Sequence, residues 1–580
     1  MAKSGSVPSS DLDLLDIDSI YQRAELLSDV DNFTLSPLGH LALTWRGSGQ
    51  GHGRAPNIGD ENVPSHCQPI RCLVADLPAP VRPVDPLVTM VLFSLLPSPP
   101  QFFTHFVQLA VSLFHSKTQI RKQLLARRRS PYSYDINQHT GFFPPEPLPK
   151  LPPSYEIWEQ ALRDANGNLS LGEDESEDAL ERRPYGLEWR ARIQEWPVLD
   201  TAPLHKNPRL AQRAHLVLAW LVSFYVHSIP PTTSTANTSS GSDSEDRAEP
   251  LRVPKSLAVP LMQVSRHLGL APVLTFADTV LWNWELIHPS RPLSPDNIRF
   301  VNTFSGTDDE KNFYYASALA ELRGVEILRI IDDFNNLPIG SDLASTTKVS
   351  RDLHRLAGII EDITEIITSV RSACDPHVFY WDIRPWFEGS DAKGPGGPGW
   401  IYEGVDEAEN LDLSGPSAGQ SSVMHALDIF LNIDHKLQER RYPAPSPENK
   451  RADHGFMERM RRYMPGQHRE FLNVLSTSRS IRQLAQSTPA LRDAYDTAVT
   501  ALKRLRDTHI RIACLYVVTM SRSTPGSRGG CPAAAMIERL HANRLAGKGP
   551  VRGTGGNELS ILLKAGRDAT RRAVLKPSSS

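Results

Sequence analysis

One histidine near the C-terminal end of the chain is the residue whose type and position are most informative about chemistry. His509 lies in the segment 488–520, where apolar residues recur every three or four positions. This spacing predicts the buried face of an amphipathic helix, and position 509 is where that face requires another apolar residue. A buried imidazole needs either a hydrogen-bond partner or a metal, because an unpartnered polar group in an apolar layer is costly.

Other metal-binding patterns in the sequence are incomplete. Cys67 and Cys72, beside His66, form half of a zinc pattern without a second pair. His425 and Asp428 are one helical turn apart, but nothing pairs them with the second histidine of a facial triad. Phosphate-loop, dinucleotide, serine-hydrolase and zinc-protease motifs are absent. What remains is a single axial histidine, which is how a protein can hold haem with one face open for a gas.

A haem site also needs cations and an apolar wall, and the sequence offers candidates for both. Arg506 precedes His509 by three positions, so the two share a helix surface and Arg506 can reach a propionate. Arg384 lies in the aromatic-rich segment 375–386 and could grip a substrate carboxylate with two parallel hydrogen bonds. Each feature has a structural alternative: a hydrogen-bonded core histidine, a structural ion pair, and core aromatics.

The elements that would position these residues are predicted to be helices. Helical or continuously apolar patterns occur at 208–227, 254–284, 313–335, 353–370 and 417–433, in addition to 488–520. Strand patterns are almost absent. The sequence therefore predicts an all-α fold.

Composition excludes several classes of partner. The 580 residues carry 63 Lys and Arg against 66 Asp and Glu, which gives no argument for nucleic acid. Five cysteines do not make a disulfide framework and favour a reduced compartment. The apolar run 88–114 is divided by prolines into pieces too short to span a bilayer, and no targeting sequence is recognised at the N-terminus. We expect a cytoplasmic protein that binds neither nucleic acid nor membrane.

Several long motifs, in matching order, resemble the indoleamine 2,3-dioxygenase family. They are YEG at 402–404, SGPSAGQSSV at 414–423, RRYMPGQHREFL at 461–472, LRDTHIRI at 505–512 and RGTGGNELSILLK at 552–564. Weaker similarity covers 257–284 and 312–321, so the resemblance extends over about 131 to 577.

This resemblance implies an architecture. A small α-helical domain, 131–304, is expected to pack over a larger α-helical domain, 305–577, which holds haem b. Residues 1–130 have no counterpart and are expected to form a mostly disordered extension. The acidic stretch 230–250 has the composition of a disordered surface loop.

The resemblance also assigns roles to single residues on both sides of the haem. His509 matches the proximal iron ligand, and Arg506 matches the arginine that binds a propionate. Asp428 matches an acidic residue that supports this arginine. Phe379 and Arg384 match the pocket phenylalanine and the arginine that grips the substrate carboxylate.

The remaining matches line the substrate pocket. Phe313 and Ser317 match positions beside the indole, and Ser417 and Ala418 match a pocket-lining loop. Thr554 matches the threonine of a mobile glycine-rich loop.

Two positions differ from some members of the family. Phe276 stands where these carry tyrosine and Thr279 where they carry cysteine, and both changes would reshape the inner pocket.

The implied reaction is cleavage of the indole C2–C3 bond of L-tryptophan by O₂, with both oxygen atoms entering N-formylkynurenine. This is the first step of the kynurenine pathway leading towards NAD. No residue is expected to act as acid or base, and the protein is expected to be a monomer. Two alternatives are a haem-binding or haem-sensing protein of the same fold with little turnover, and a helical interaction protein with a vestigial pocket.

Overall fold

The structure, a computed structural model, covers the part of the chain that the family resemblance spans. It describes residues 133–231, 249–337, 342–390, 399–406, 411–435, 455–524, 551–554 and 559–575. All of these belong to the second of two units into which the chain divides, Ser98–Ser580. The expected extension 1–130 and most of the acidic stretch 230–250 lie outside the described residues.

Helices dominate the described residues. In chain order they are α1 (Glu156–Ala165), α2 (Glu177–Gln194), α3 (Pro208–His227), α4 (Lys255–Leu268), α5 (Asp308–Arg323), α6 (Val325–Asn336), α7 (Leu343–Ala373), α8 (Ser422–Phe430), α9 (Phe456–Met460), α10 (Gly466–Ser476), α11 (Ile481–Ser487), α12 (Pro489–Ala513) and α13 (Leu559–Ala573). Short helical turns occur at Pro153–Tyr155, Leu204–Lys206, Ala277–Leu281, Pro295–Asn297, Pro376–Val378, Phe379–Ile383, Arg384–Phe387, Ala418–Gln420, Arg461–Tyr463, Cys514–Thr519 and Met520–Arg522.

Strands are short and form two small sheets. They are β1 (Leu251–Val253), β2 (Trp284–Leu286), β3 (Ile298–Phe300) and β4 (Trp400–Tyr402). β1 pairs with β4 in parallel, and β2 pairs with β3 antiparallel. The predicted all-α class is therefore confirmed. Among the described helices, none is both long and apolar enough to cross a membrane.

The long helix α12 has the face that its spacing predicts. Its apolar positions are buried: Leu491, Ala494, Ala498, Leu502, Leu505 and Ile512. Pro489 occupies the first helical position, where its missing N–H costs nothing.

The first turn of α12 is closed by the backbone and not by a side chain. Thr488 occupies the capping position, but its side chain makes no capping hydrogen bond. Its carbonyl oxygen instead accepts from the backbone N–H of Leu491 at 2.9 Å. The backbone therefore closes the first turn of α12.

α12 is surrounded by helices on several sides. α7 packs along it most extensively, and α13 and α11 pack on it as well, while α5 packs on α7. Buried apolar side chains from residue 134 to residue 573 form one continuous core. The expected division into domains 131–304 and 305–577 stays a prediction.

The helical pattern at 313–335 forms two helices in the structure. α5 ends and α6 begins at Gly324. A Cβ placed at Gly324 would lie 2.3 Å from Cγ1 of Val423, so the close approach of α8 requires a glycine here. The helical pattern at 313–335 is therefore confirmed, with a boundary between two helices at Gly324.

Candidate active site

The side chain of His509, on α12, is partly buried. The imidazole is partly accessible, whereas Leu505 and Ile512, one turn away on either side, are buried. Burial and the nearby Arg506 lower the pKa of His509, so the ring is neutral at pH 7. A neutral imidazole is the form that binds a metal.

The interpretation of His509 as a hydrogen-bonded core histidine is not supported by its surroundings. Within the described ranges, no donor or acceptor forms a hydrogen bond with its ring. Position 509 is also only partly buried, which departs from the core position that the spacing predicts. A neutral ring with an available nitrogen is the donor that an axial haem ligand requires, so the residue present fits haem iron.

Arg506 is held by two neighbouring helices. Its Nη2 donates to both carboxylate oxygens of Asp428 on α8, at 2.6 Å each. Its Nη1 donates to the carbonyl oxygen of Gly566 at 3.0 Å and to the hydroxyl of Thr570, both on α13. The contacts orient the guanidinium one turn before His509 on the same helix.

Asp428 is an ionised carboxylate in a buried position. Burial alone would raise the pKa of Asp428, but Arg506 and His435 outweigh it and hold the pKa well below its usual range. His435 Nε2 lies 2.7 Å from the second carboxylate oxygen. The structure thus brings together the arginine and the acidic residue that the family resemblance pairs.

His425, a candidate metal ligand in the sequence, forms hydrogen bonds through both ring nitrogens and so holds a loop in place. Its Nε2 donates to the carbonyl oxygen of Gly419 at 2.8 Å, and its Nδ1 accepts from Arg461 Nε at 3.4 Å. Burial lowers the pKa of His425 to about 4, so the ring is neutral with its proton on Nε2. Both nitrogens are engaged, and the bond to Gly419 fixes the backbone next to Ala418.

The loop around Ser417 and Ala418 is tied to the inner pocket. Gln420 accepts from the backbone N–H of Phe276 at 2.9 Å and donates to the carbonyl oxygen of Gly415 at 2.8 Å. The hydroxyl of Ser417 accepts from the N–H of Gly419 at 3.2 Å. Phe276 is buried, so Gln420 positions this residue and the loop together.

An aromatic wall joins α5 to the helical turns at 376–387. The ring centroids of Phe313 and Phe379 are 4.8 Å apart, and those of Phe379 and Tyr516 are 5.6 Å apart. Ser317 lies one turn after Phe313, and its hydroxyl donates to the carbonyl oxygen of Phe313 at 3.2 Å. These residues present an apolar surface, and the hydroxyl of Ser317 among them already donates a hydrogen bond to the backbone.

Arg384 is engaged in an ion pair, as its structural interpretation proposed. Its Nη1 donates to Oε1 of Glu388 at 2.6 Å, and its guanidinium lies 5.4 Å from the ring centroid of Tyr380. Its Nη2 donates to the carbonyl oxygen of Arg552 at 3.0 Å. This last bond brings Arg384 beside the short segment that carries Thr554.

Thr554 closes this arrangement. Its hydroxyl donates to the carbonyl oxygen of Pro416 at 2.7 Å, and its own carbonyl oxygen accepts from Gly415 at 3.3 Å. The segment 551–554 therefore lies against both Arg384 and the loop before Ser417. Arg384 and Thr554, which the resemblance assigns to the carboxylate-binding arginine and to the glycine-rich loop, are therefore neighbours.

Two carboxyl residues at the site were missed in the sequence. Glu388 follows Arg384 by four positions, a helical spacing for ion pairs that could have revealed it. Glu321 follows Ser317 by four positions on α5, and burial raises the pKa of Glu321 to about 7. The hydroxyl of Ser421 bonds one carboxyl oxygen, and among the described residues the other oxygen has no partner.

Comparison with known proteins gives this site its context. A family model described as indoleamine 2,3-dioxygenase matches residues 130–573. Indoleamine 2,3-dioxygenase 1 of Mus musculus is 28% identical over 450 residues, covering 77% of this chain and 96% of the relative. Indoleamine 2,3-dioxygenase 2 of Homo sapiens is 30% identical over 453 residues, covering 77% and 95%. A 6-hydroxytryptophan 2,3-dioxygenase of Fusarium equiseti is 29% identical over 398 residues, covering 67% and 86%.

The helical fold and these matches define an oxidoreductase of the dioxygenase class. The chain belongs to the indoleamine 2,3-dioxygenase family. The resemblance noted from the motifs is thereby confirmed. The names of the relatives differ in the indole compound they specify, so the substrate of this chain is a separate question.

Proposed function

We propose that this protein cleaves the indole C2–C3 bond of L-tryptophan with O₂ and produces N-formylkynurenine, using haem b bound through His509. The observation that carries the proposal is the neutral, partly accessible imidazole of His509, beside an arginine held by Asp428. Family membership supplies the reaction class. We further propose that the reaction opens the kynurenine pathway towards NAD, in the cytoplasm, in a monomeric protein.

Four residues account for haem retention in this proposal. His509 binds the iron, and Arg506 binds a propionate in the orientation that Asp428 and Thr570 impose. Bound haem would supply the iron that binds and activates O₂. The protein's contribution on this side is a fixed ligand and a fixed cation.

The substrate side binds, orients and excludes water. Phe313 and Phe379 provide an apolar wall against the indole, which keeps water from the reacting ring. Arg384 binds the substrate carboxylate and so fixes the orientation of the ring. Phe276, Ser317, Ser417, Ala418 and Thr554 complete the lining. We assign no general acid or base.

A haem-binding or haem-sensing protein with little turnover is the second candidate. The ion pair between Arg384 and Glu388 favours it, because a guanidinium already occupied by a carboxylate can serve structure alone. The aromatic wall and the neighbouring Thr554 favour the enzyme, since a sensor needs no arrangement for an amino acid.

The deciding experiment is a turnover assay on the full chain. The purified protein is loaded with haem, reduced without oxygen, and then supplied with L-tryptophan and ¹⁸O₂. We expect N-formylkynurenine carrying two labelled oxygen atoms, detected by absorbance and mass spectrometry. A haem spectrum without product would favour the sensing protein, and neither haem nor product would favour the vestigial pocket.

A further inference from the structure

His435 bonds the carboxylate that holds Arg506. We propose that His435 is a positioning residue for haem: its ring N–H fixes the carboxylate of Asp428, and Asp428 in turn fixes the guanidinium that binds a propionate. This bond then controls how firmly haem is retained and how easily its iron is reduced. The inference rests on the proposed function, in which Arg506 binds the propionate.

Arg506 and Asp428 do not fully orient each other. A guanidinium and a carboxylate fix each other's plane when two nitrogens meet two oxygens in parallel bonds. Here a single nitrogen, Nη2 of Arg506, donates to both oxygens of Asp428, at 2.6 Å each. The other terminal nitrogen, Nη1, donates to Gly566 and Thr570 on α13. The carboxylate can therefore turn about one contact unless a further donor holds it.

His435 supplies this further donor. Its Nε2 lies 2.7 Å from Oδ2 of Asp428, and a carboxylate oxygen can accept two hydrogen bonds. Burial alone would raise the pKa of Asp428, but Arg506 and His435 hold this pKa well below its usual range, so the carboxylate is ionised. An ionised carboxylate has no proton to donate. Nε2 of His435 therefore carries the proton of this bond.

A tight turn after α8 brings His435 back to Asp428. In a continuing helix, a side chain seven positions later would lie about 10 Å further along the axis. The helix ends instead, because Asn432 has a φ of 53°, in the left-handed region. The N–H of Ile433 then donates to the carbonyl oxygen of Asp428 at 2.9 Å, which closes the end of α8 and reverses the chain.

The turn is anchored to two other helices. Oδ1 of Asn432 accepts from the hydroxyl of Ser480, directly before α11, at 2.7 Å. The hydroxyl of Tyr495 on α12 donates to the carbonyl oxygen of Leu431 at 2.7 Å. α12 also carries the two residues that we propose to contact haem. The position of His435 is therefore fixed by the same helix that carries the proposed iron ligand.

The other titratable and charged groups around Asp428 do not replace this bond. Among the described residues, its carboxylate accepts hydrogen bonds from Arg506 and His435. Burial lowers the pKa of His425 to about 4, so this ring is neutral, and its Nε2 bonds a loop carbonyl oxygen. Arg461 donates to His425. Within this part of the chain, loss of His435 leaves Asp428 with Arg506 as its one donor.

Two measurable properties depend on the bond. If the carboxylate of Asp428 turns, the guanidinium of Arg506 loses part of its fixed orientation and binds a propionate less firmly. Hydrogen-bond partners behind a metal site change metal retention by about 10- to 100-fold. A carboxylate that has lost a hydrogen bond also presents more negative charge to the iron. This favours the ferric form, with its additional positive charge, and lowers the midpoint potential.

The test replaces the ring by amides of two lengths. The amide nitrogen of glutamine reaches the place of Nε2, whereas that of asparagine reaches only the place of Nδ1. The ring is 22% exposed, so both side chains fit. The full chain, His435→Gln and His435→Asn are loaded with haem. The rate of haem transfer to an excess of a haem-scavenging apoprotein is measured, and the midpoint potential is measured by spectroelectrochemical titration.

The longer amide should rescue what the shorter one loses. We expect His435→Asn to release haem about tenfold faster than the wild-type protein, with a more negative midpoint potential. His435→Gln should retain the wild-type rate and potential, because it keeps a donor at the place of Nε2. His354→Asn makes the same change at an exposed histidine on α7 and is the control, with both properties unchanged.

Three outcomes would overturn the proposal. The first is a wild-type rate and potential in His435→Asn. The second is faster release with an unchanged potential, which is what a merely structural role would give. The third is a rate or potential in His435→Gln that matches His435→Asn. Should His435→Asn not fold, His435→Gln decides: wild-type values support the proposal and altered values overturn it.

Haem retention and turnover can fail separately. A wild-type protein that holds no haem rejects the proposed function and the role of His435 with it. Equal values in wild-type protein and His435→Asn, in a chain that produces N-formylkynurenine, reject the role of His435 and leave the proposed function intact. The expected difference between the two amides without product rejects the proposed reaction and leaves the positioning role intact.

Discussion

The proposed site has two sides that are built differently: one that we propose holds haem, called the haem side, and one that we propose holds the substrate, called the substrate side. On the haem side, His509, Arg506 and Asp428 project from the regular helices α12 and α8, and α13 adds further bonds to Arg506. On the substrate side, Arg384 and Thr554 lie on helical turns and short segments joined by backbone contacts. Regular helices fix a ligand and a cation in advance, whereas the substrate side retains donors that a ligand can engage.

The arginines of the two sides also differ in how many of their donors are already bonded. Asp428 is bonded by Arg506 and His435. Arg506 is bonded to three groups through its two Nη atoms, so within the described residues its Nε is the donor left for a propionate. Arg384 is bonded to one carboxylate and one carbonyl oxygen, which leaves part of its fork for a ligand. The comparison implies that mutations on the haem side cost stability and haem, while those on the substrate side cost affinity.

Removing the carboxylate of Asp428 should have the largest effect. Asp428→Ala leaves Arg506 as a largely buried charge without its partner, which destabilises a protein by about 3–5 kcal/mol. We expect a matching drop in the free energy of unfolding in urea and loss of haem on gel filtration. Asp434→Ala, at the neighbouring exposed carboxylate, is the control. Wild-type stability and haem content in Asp428→Ala would remove the distinction between the two sides.

The second prediction concerns Glu321, whose buried carboxyl accepts a hydrogen bond from Ser421. It is tested by the pH dependence of the free energy of unfolding. Its pKa in the folded protein, about 7, is above its ordinary value of 4.5, so the folded state binds the extra proton between these values. Stability from this group is therefore greatest below pH 4.5 and declines by about 3 kcal/mol as pH rises to 7. Glu321→Gln should lose this decline and exceed the wild-type protein in stability above pH 7.

The measurement is the difference in unfolding free energy between variant and wild-type protein across pH 4.5–8. The difference isolates Glu321 because His425 and His468, whose pKa values burial lowers to about 4, act in both proteins and in the opposite direction. The charged neighbours Arg323, Glu326 and Asp362 are paired with one another at the surface. A difference that does not change with pH would contradict the assignment.

Arg384→Ala should act mainly on affinity, with a smaller loss of stability because Glu388 loses its ion-pair partner. Loss of one charge-assisted pair with the substrate carboxylate should raise KM for L-tryptophan by roughly 10- to 100-fold while kcat and haem content change little. Tryptamine, which has no carboxylate, serves as the matched ligand and should be affected much less. An equal effect on both ligands would mean that Arg384 supports the fold and does not bind the carboxylate.

Thr554→Ala should have the smallest effect. It removes one hydrogen bond, to Pro416, which is worth about 1 kcal/mol. We expect KM for L-tryptophan to rise up to about fivefold, because the segment 551–554 is held less firmly, with a loss in the free energy of unfolding of no more than about 1 kcal/mol. The control is Thr368→Ala, which removes a comparable hydrogen bond, to the carbonyl oxygen of Thr364, at an exposed position of α7. A stability loss without any change in KM would assign Thr554 to the fold alone.

The haem side was largely predictable from sequence because it depends on helical spacing. The apolar face of α12 and the placement of Arg506 one turn before His509 follow from a period of 3.6 residues. The partner of Arg506 did not follow from spacing. Asp428 is 78 positions away, and only the family resemblance indicated the pair.

The substrate side was predictable mainly through the resemblance, because its geometry depends on contacts between distant segments. Gly324 interrupts a helical pattern because Val423 packs against it, which no local rule reveals. The bond between Glu321 and Ser421 likewise joins residues that are 100 positions apart. Glu388, four positions after Arg384, was within reach of a spacing argument.

The central claim is that His509 holds the haem, and chemical rescue tests it most directly. The full chain and its His509→Ala variant are loaded with haem, and the Soret band is measured before and after addition of imidazole. We expect a haem-free variant that regains the band with imidazole, while His354→Ala, at an exposed histidine on α7, behaves as wild type. A normal Soret band in His509→Ala without imidazole would show that His509 does not hold the haem.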